Sequence, residues 1–497
     1  EAKFGMFIHW GPYAVPAGVW EPAGIRGGGE WLMHGAKIPV ADYKPLARKF
    51  NPVHYDPASW AKLAQEAGAK YVVITAKHHD GFALYDSKVT DWDVVGATPY
   101  GKDLLAPLLQ EVKARDLKMG FYYSQAQDWV HPGGAKMRYD EGGGWDPAHR
   151  GDFDRYLREI AIPQTRELLS QYDIDVLWWD TPVWMNDQRA KPFLALLEQR
   201  PGIIHNNRLG GRDSGDTETP ENFVPATGIP GHDWETCMTM NGSWGYDTHA
   251  TNWKSAEELI HTLVDIVSKG GNLLLNVGPR PDGTIQQEAI ERLESIGAWM
   301  KSHGEAIYET TASPCDRPRW GRLTTRRLGD HTRLYLHVFD WPADGRLPVP
   351  LRNEVRGCML LGEPERKFVA RPVEDGIEVA LTGKAPDSTC PVVILDVSGS
   401  PEAVEIATRQ ATDGSLTLRA RDAMIHNGNY GGQARYVTDE AGGHISHWHD
   451  ARIRLEWPIR ITAPGTFNVE IEAAAPQGAC RIAITVGDRE LTGSLAM

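Results

Sequence analysis

The stretch Tyr71-Val-Val-Ile-Thr-Ala-Lys-His-His-Asp-Gly-Phe82 indicates the fold of this chain, because an apolar run ends there in a cluster of titratable side chains. A second apolar run, Val176 to Trp179, ends in the same way at Asp180. Strands that are buried on both faces of a parallel sheet read as continuous apolar runs, and the carboxyl ends of barrel strands carry active sites. The pattern therefore predicts an α/β enzyme.

Apolar runs alternate with helical patterns from the N-terminus to about residue 305, as expected for βα units around a parallel sheet. An eight-unit barrel typically takes ~250 residues, so this segment is long enough for a (β/α)8-like (TIM) barrel with insertions. Pro163 should kink or divide the helix that begins near Phe153. Six strands are clear and the others are assumed; the six are Phe4 to His9, Tyr71 to Thr75, Lys118 to Tyr123, Ile174 to Trp179, Ile203 to Asn206 and Leu273 to Val277.

The sequence pattern changes after Pro314 to short or alternating apolar runs separated by Gly, Pro and Asp turns, which is typical of a β-sandwich. A second break lies near Ser398-Gly-Ser-Pro401. We therefore predict a catalytic barrel over residues 1–312, a β-sandwich over 313–398 and a further, partial β module over 399–497. Trp448 and Trp457 in the last module suit carbohydrate binding, and a spacer role is equally open.

The amino-acid composition argues against some classes of binding partner and favours others. The 497 residues carry a formal net charge of -14 and no stripe of Lys and Arg, which argues against nucleic acid. No run reaches the ~20 apolar residues of a membrane span. Five cysteines without C-x-x-C spacing indicate neither a zinc knuckle nor a disulfide framework. Eighteen tryptophans suit a ligand that offers C–H groups and hydroxyls together, such as a sugar.

The first residue is Glu1, with neither a methionine nor an apolar leader before the first strand. We expect that a signal peptide has been removed and that the protein is periplasmic or secreted. We also expect the natural chain to extend beyond both ends.

Asp180 leaves a dry strand in Leu-Trp-Trp-Asp-Thr-Pro, where a carboxylate at a barrel mouth is placed for nucleophilic or acid–base work. Capping of a turn before the next helix is the structural alternative. Candidates for a second carboxylate are Glu218, Glu221 and Glu235. Paired carboxylates beside tryptophans, without a metal cluster or a phosphate loop, indicate glycoside hydrolysis.

The adjacent histidines His78 and His79 would point to opposite faces of a strand, so both reach one ligand only if the strand has ended. Metal binding together with Asp80 is an alternative, although the i, i+4 spacing of a helical zinc motif is absent. A core histidine bonded to the backbone is another. A neutral imidazole offers one donor and one acceptor, which suits sugar hydroxyls. We predict no metal and no cofactor.

Together the motifs resemble those of the α-L-fucosidases of glycoside hydrolase family 29, over roughly Lys3 to Pro314. That family has a (β/α) barrel followed by a β-sandwich, which agrees with the break near residue 314. The matching segments are Phe4-Gly-Met-Phe-Ile-His-Trp-Gly11, Gly29-Glu-Trp31, Ala76-Lys-His-His-Asp-Gly-Phe82, Phe121-Tyr-Tyr-Ser124, Leu177-Trp-Trp-Asp180, Asn207-Arg208, Trp234-Glu-Thr-Cys237, Ser243-Trp-Gly-Tyr246 and Gly271-Asn-Leu-Leu-Leu-Asn276.

The resemblance implies roles for individual residues. Asp180 is the implied nucleophile, and Glu221 in Thr219-Pro-Glu221 is the preferred acid/base, with Glu235 as runner-up and Glu218 third. For each glutamate a loop or supporting role stays open. The residues implied to hold the sugar are His9, Glu30, Trp31, His78, His79, Tyr123, Trp178 and Arg208. Tyr122 is an alternative to Tyr123, and Arg208 could instead pair with a structural acid. The resemblance also implies that the rings of Trp31 and Trp178 contact the C5 methyl group of the sugar.

The activity implied is that of a retaining α-L-fucosidase, which removes terminal fucose from oligosaccharides or glycoconjugates by double displacement. The segment from Asp233 to Tyr246 resembles the branch that prefers α-1,3 and α-1,4 linkages. Three alternatives remain: a non-catalytic fucose-binding protein, a metal-dependent hydrolase, and a retaining glycosidase or transglycosidase of altered specificity.

Overall fold

The computed structural model describes residues 2–315, 318–386, 389–427, 434–437, 443–474 and 480–495. The chain forms two compact units. One consists of Glu1–Ile406 with Arg419–Glu456, and the other of Ala407–Leu418 with Trp457–Met497. This division differs from the predicted boundary at residue 399, because the segment Arg419–Glu456 belongs to the unit that contains the barrel.

Seven parallel strands form the sheet of the barrel, as predicted for an α/β fold. They are β1 (Phe4–Ile8), β2 (Tyr71–Lys77), β3 (Lys118–Tyr123), β4 (Val176–Trp179), β5 (Ile204–His205), β6 (Glu235–Thr239) and β7 (Asn272–Val277). Their order across the sheet is β5-β4-β3-β2-β1-β7-β6. Six coincide with the predicted strands. β6 was not predicted, because its sequence Glu-Thr-Cys-Met-Thr has no continuous apolar run although all five residues are buried.

An irregular segment, residues 217–221, stands where an eighth strand would complete the barrel. Thr217 bridges in parallel to Asn206, just after β5, and Glu221 bridges in parallel to Cys237 of β6. Backbone hydrogen bonds run along both sides of the segment. We call it the closing segment. The two free edges of the seven-stranded sheet are thus linked through a stretch that carries two of the candidate glutamates.

Helices pack around the sheet and alternate with its strands. They are α1 (Pro57–Glu66), α2 (Leu105–Lys113), the four-residue α3 (Phe153–Tyr156), α4 (Ile162–Gln171), α5 (Asp187–Leu197), α6 (Ala256–Ser268) and α7 (Gln287–His303). A π-helical turn, Leu157–Ala161, separates α3 from α4. Pro163 lies in the first turn of α4, where a proline is tolerated. The helix that begins at Phe153 is thus interrupted just before Pro163, in line with the predicted kink or division.

Shorter elements fill the connections of the barrel. They are the helices Leu32–Gly35, Val40–Tyr43 and Val94–Ala97, the 3-10 turns Pro12–Ala14, Glu21–Ala23, Gly29–Trp31, Lys44–Arg48, Pro147–His149 and Gly304–Ala306, and the small hairpin Val19–Trp20 with Ile25–Arg26.

The barrel has two apolar layers, because successive side chains of a strand point to opposite sides of the sheet. A large layer lies between the strands and the helices and includes Ile74, Leu108 and Leu263. A small cluster fills the barrel interior and consists of Phe7, Tyr71, Val73, Tyr122, Trp178, Cys237 and Leu274. The interior cluster forms the floor on which the site is built.

The predicted β-sandwich follows the barrel. Its strands are β8 (Gly321–Leu328), β9 (His331–Val338), β10 (Arg346–Val349), β11 (Val355–Leu360), β12 (Glu363–Lys367), β13 (Val369–Val373), β14 (Gly376–Ala380) and β15 (Val392–Ser398). One sheet has the order β8-β9-β15-β11-β12 and the other β10-β14-β13. Apolar side chains of both sheets, among them Leu336, Leu347 and Val379, form one shared core.

Short strands form the rest of the described chain. They are β16 (Thr408–Arg409), β17 (Met424–His426), β18 (Arg435–Val437), β19 (His444–Ser446), β20 (Arg454–Glu456), β21 (Ile459–Arg460), β22 (Cys480–Val486), β23 (Arg489–Leu495) and the 3-10 turn Ala420–Asp422. Within the first unit β17 pairs with β20 and β18 pairs with β19. Among the residues that the model describes, no helix has the length and apolar character needed to span a bilayer.

A buried ion pair fixes the end of β2, directly before the two histidines. Lys77 Nζ lies 3.1 Å from Asp128 Oδ2 and 2.9 Å from the Tyr156 hydroxyl, and both charged side chains are fully buried. His131 Nδ1 lies 2.8 Å from the same carboxylate. Burial alone would raise the pKa of Asp128, but His131 and Lys77 bring it well below its usual value. The carboxylate therefore stays charged and paired.

We predict that Asp128→Ala lowers the free energy of unfolding by about 3–5 kcal/mol, because it leaves Lys77 buried without a counter-charge. The matched control is Asp86→Ala, which removes the partner of Lys88 in an exposed pair. It should cost less than about 1 kcal/mol. Urea unfolding followed by circular dichroism compares the two variants. Equal losses would contradict the prediction.

Candidate active site

A cavity of about 90 Å³ opens at the carboxyl ends of the barrel strands. The sequence-predicted residues that line it are His9, Trp31, His78, His79, Trp178, Asp180, Arg208 and Glu221. A larger depression of about 480 Å³ lies at the opposite end, beside Lys70 and Arg326. Barrel enzymes place their chemistry at the carboxyl ends of the strands, so the smaller cavity is the candidate site.

Asp180 directly follows β4 and presents its carboxylate to this cavity. Its Oδ1 accepts hydrogen bonds from Arg208 Nη1 at 2.8 Å and from the backbone N–H of Thr181 at 2.8 Å. Its Oδ2 accepts one from the Tyr122 hydroxyl at 2.7 Å. Burial alone would raise the pKa of this carboxyl. Arg208, His79 and Tyr122 have the opposite and larger effect, so that the pKa lies below the ordinary 3.8. Asp180 is therefore ionised at neutral pH, as a nucleophile must be.

Arg208 joins the nucleophile candidate to the closing segment. Its Nη1 also donates to Glu221 Oε2 at 2.9 Å, while Nε and Nη2 donate to the side chain and carbonyl of Thr219 at 2.8 and 2.9 Å. The guanidinium lies 4.8 Å from the centre of the Trp178 ring. Burial alone would lower the pKa of Arg208, but Asp180 and its other acidic neighbours raise it above the usual value. Arg208 remains a cation.

Glu221 lies on the closing segment, with 42% of its side chain exposed. The carboxylate oxygens of Asp180 and Glu221 lie 2.8 and 2.9 Å from the same Arg208 nitrogen, so they are at most about 5.7 Å apart, the sum of the two distances. Retaining glycosidases place their carboxyl groups ~5–5.5 Å apart and inverting enzymes ~6.5–9.5 Å apart. This upper limit lies below the inverting range and is compatible with the retaining spacing.

Glu235, the runner-up acid/base, lies inside the barrel and does not line the cavity. The hydroxyl of Tyr71 donates to its Oε2, and Trp178 Nε1 donates to its Oε1 at 3.0 Å. Gly5 makes room for this contact, since a Cβ there would lie 2.4 Å from the Tyr71 ring. Burial raises the pKa of Glu235. Its carboxyl therefore supports the Trp178 ring from behind.

Glu218, the third candidate, is also buried and also lies outside the lining of the cavity. It accepts a hydrogen bond from the side-chain amide of Asn207. Burial raises the pKa of its carboxyl. Of the three glutamates, Glu221 is the one that shares the cavity with Asp180.

Three buried histidines line the cavity in the neutral form. His9 Nδ1 lies 2.7 Å from Asn276 Oδ1, and His79 Nδ1 lies 2.7 Å from the Ser124 hydroxyl. Burial lowers the pKa of His9 to about 3 and that of His79 to about 4. It also lowers the pKa of His78 well below the usual value. Because Nδ1–H of His9 and of His79 donates to a protein oxygen, each of these neutral rings leaves Nε2 as an acceptor for a sugar hydroxyl.

The metal alternative gains no support from Asp80. Its carboxylate accepts hydrogen bonds from the Tyr43 hydroxyl at 2.8 Å and from the backbone N–H of Phe82 at 3.3 Å. Among the residues with described positions, no three His, Cys, Asp or Glu side chains are grouped as a metal site.

Tyr122, and not Tyr123, faces the cavity, which corrects the preferred assignment from the sequence. The Tyr122 ring stacks on His78 and Trp178, with ring centres 5.3 and 5.5 Å apart. Tyr123 points to the helix layer, where its hydroxyl donates to Gln164 Oε1 at 2.8 Å. Neighbours in a strand face opposite sides, and only the register of β3 decides which one faces inward.

Glu30 also differs from its predicted role, since it lies outside the cavity lining. Its Oε2 accepts a hydrogen bond from the backbone N–H of Gly245 at 2.7 Å. Burial raises the pKa of the Glu30 carboxyl. The residue holds the loop that carries Trp244, and the Trp244 ring lies 5.0 Å from the His9 ring.

Several cavity residues were not assigned to the site from the sequence; they are Phe7, Thr181, Cys237 and Trp244. Phe7 lies two residues before His9, so strand alternation could have identified it. Trp244 belongs to the quoted segment Ser243-Trp-Gly-Tyr246. Thr181 has a positive φ of 46°, which aims its N–H at the Asp180 carboxylate and which sequence does not reveal.

The family model described as "Alpha-L-fucosidase" matches residues 1–305. The chain belongs to the α-L-fucosidase family. This confirms the resemblance seen in the motifs and identifies the protein as a glycoside hydrolase of that family.

Comparison with related proteins and structures supports this assignment. The tissue α-L-fucosidase of Rattus norvegicus is 31% identical over 79% of this chain and 87% of its own length. A crystal structure of a GH29 α-L-fucosidase from Bacteroides thetaiotaomicron is similar with a TM-score of 0.72 and 31% identity, over 80% of this chain and 93% of that one. A structure of a trapped covalent intermediate of a GH29 α-L-fucosidase from the same organism gives a TM-score of 0.71 at 31% identity, over 79% and 93%.

We predict that kcat/KM of this α-L-fucosidase falls on acidification only near or below pH 4. The pKa of Asp180 lies below its usual value and that of His79 is about 4, so the ionised carboxylate and the neutral imidazole both persist down to that range. Hydrolysis of an aryl α-L-fucoside from pH 3 to 8 measures this, with residual activity at pH 6.5 as the control for denaturation. An acidic limb centred near pH 6.5 would show a freely titrating histidine and refute the prediction.

Proposed function

We propose that this α-L-fucosidase releases terminal α-linked L-fucose by double displacement, with Asp180 as the nucleophile and Glu221 as the acid/base. The observation that carries the proposal is the shared hydrogen bonding of the two carboxylates to Arg208 Nη1. It keeps one carboxylate charged inside the cavity and the other at its exposed rim, at a spacing suited to retention.

In the first step the Asp180 carboxylate attacks the anomeric carbon while protonated Glu221 gives its proton to the departing oxygen. In the second step Glu221 takes a proton from water, which displaces Asp180 and leaves fucose with its original anomeric configuration. Glu221 accepts a hydrogen bond from Arg208 Nη1 at the rim of the cavity. The exposure of this side chain allows it to turn towards an incoming leaving group.

Hydroxyls of the sugar would form hydrogen bonds with His9, His78 and His79, whose burial keeps them neutral. Tyr122 replaces Tyr123 in this proposal. The aromatic faces of Trp31 and Trp178 suit the C5 methyl group, which offers C–H bonds where most hexoses carry a hydroxymethyl. The ionised pair Asp180 and Arg208 favours a hydrolytic site over a binding pocket that has lost its chemistry.

Azide rescue of three variants tests the roles of the carboxylates. Asp180→Ala should lower kcat by at least ~10⁴-fold, and azide should yield β-fucosyl azide, because it enters opposite the leaving group. Glu221→Ala should lower kcat/KM by ~10²–10⁴-fold for a poor leaving group and far less for an activated aryl fucoside. Azide should then yield α-fucosyl azide from the trapped fucosyl-enzyme.

Glu235→Ala is the matched control, since it removes a buried carboxyl that supports Trp178. It should lower activity on good and poor leaving groups alike, without azide rescue. Rescue of Glu235→Ala but not of Glu221→Ala would transfer the acid/base role to Glu235 and overturn the assignment.

The linkage preference is a finer part of the proposal. We infer a preference for α-1,3 and α-1,4 fucosides from the segment Asp233 to Tyr246, which contributes Cys237 and Trp244 to the cavity. Fucose release from Lewis-type trisaccharides should exceed release from an α-1,2-linked trisaccharide at equal concentration, measured by chromatography. Equal or reversed rates would reject this preference.

The partners in this proposal are fucosylated oligosaccharides or glycoconjugates. Because such glycans are displayed outside the cytoplasm, we also infer a periplasmic or secreted location. Fractionation of the producing cells with detection of the protein in the cytoplasm alone would contradict that location.

A further inference from the structure

The loop that follows Glu221 is fastened to the barrel on one side. The backbone N–H of Asn222 donates to the carbonyl of Cys237 at 2.9 Å, and the Asn222 side chain accepts a hydrogen bond from the N–H of Thr239 at 3.0 Å. The hydroxyl of Thr236 donates to the carbonyl of Phe223 at 3.1 Å. These bonds hold the loop to β6, and a second contact comes from another part of the chain.

The segment Arg419–Glu456 supplies that contact within the same compact unit. The Arg435 guanidinium lies 5.8 Å from the centre of the Phe223 ring. Ala226 packs against a small apolar cluster of Ile425, Ala434 and Ile453. All three members of the cluster are at least 95% buried.

The segment is itself anchored to the β-sandwich. Arg319, just before β8, donates from Nε and Nη2 to the two carboxylate oxygens of Asp422 at 2.9 and 2.6 Å. The antiparallel pair β17 and β20 closes the cluster that receives Ala226. The loop after Glu221 therefore lies between β6 on one side and a separately anchored β segment on the other.

We propose that the segment Arg419–Glu456 is a positioning element for the acid/base, which fixes Glu221 through Phe223 and Ala226. The inference rests on the proposed role of Glu221. It assigns a catalytic purpose to a part of the chain for which the sequence suggested carbohydrate binding or a spacer. Phe223 is two residues from Glu221, so movement of its ring shifts the carboxyl that must meet the leaving oxygen.

Leaving-group dependence distinguishes positioning from simple structural support. An aryl fucoside with an acidic phenol departs without a proton, whereas a poor leaving group needs the acid in place. A misplaced Glu221 therefore slows the second substrate selectively. Damage to the sugar pocket or to folding lowers the rates of both substrates together.

The test measures kcat/KM of the full chain on 2-chloro-4-nitrophenyl and 4-methoxyphenyl α-L-fucosides. Arg435→Ala should lower the value for the methoxyphenyl substrate by roughly 3- to 30-fold and that for the activated substrate by less than about 2-fold, as expected from the strength of a partly buried cation–ring contact. Ile425→Asp, which puts a charge under Ala226, should give the same selective loss. Arg435→Lys should retain most of the activity, since it keeps a cation over the ring.

Arg452→Ala is the matched control. It removes an arginine of the same segment that pairs with Asp450 and is 66% exposed. Its two kcat/KM values should stay at the wild-type level. In a Phe223→Leu background, the effect of Arg435→Ala should be smaller, because both changes remove the same contact.

Equal losses on both substrates, or no loss in Arg435→Ala and Ile425→Asp, would overturn the inference. Loss confined to large natural glycans, with both aryl fucosides unaffected, would also overturn it in favour of sugar binding by the segment. If Glu221→Ala lacks leaving-group dependence, the acid/base assignment itself fails and this inference falls with it.

Discussion

The site depends on the burial of one cation, the guanidinium of Arg208, between two carboxylates. A buried charge is tolerated only when it is paired and hydrogen-bonded. Arg208 meets this condition through Asp180, directly after β4, and through Thr219 and Glu221 on the closing segment. A single side chain thereby sets the spacing of the two carboxylates and links a regular strand to the irregular part of the barrel.

Burial acts in opposite directions on the groups around this cation. It keeps the histidines neutral, since an imidazolium loses its hydration in the barrel mouth. The same burial would raise the pKa of Asp180, but Arg208, His79 and Tyr122 reverse the effect. One cavity therefore contains an ionised carboxylate, that of Asp180, and neutral hydrogen-bonding rings, the combination that the proposed attack on a polyhydroxylated substrate requires.

Much of the fold was predictable because buried parallel strands leave an apolar record in the sequence. Apolar runs predicted six strands and the change to a β-sandwich. The position of Pro163 predicted the interruption of a helix. β6 was not predicted. Its mixed polar and apolar sequence does not reveal whether its polar groups face solvent or are hydrogen-bonded inside the barrel. Glu235 lies in that interior, where its two carboxylate oxygens accept hydrogen bonds from the Tyr71 hydroxyl and from Trp178 Nε1.

The sequence by itself determined the family and the fold class. It also showed Asp180, Arg208 and three histidines at or near the ends of strands, because these features are local or are carried by short motifs. Only the tertiary structure decided which of two adjacent tyrosines faces the cavity, that Glu30 holds a loop, and which glutamate shares the cavity with Asp180. Those outcomes depend on strand register and on contacts between residues far apart in the chain. Glu30 and Gly245, for example, are separated by more than two hundred residues, and no local pattern encodes their meeting.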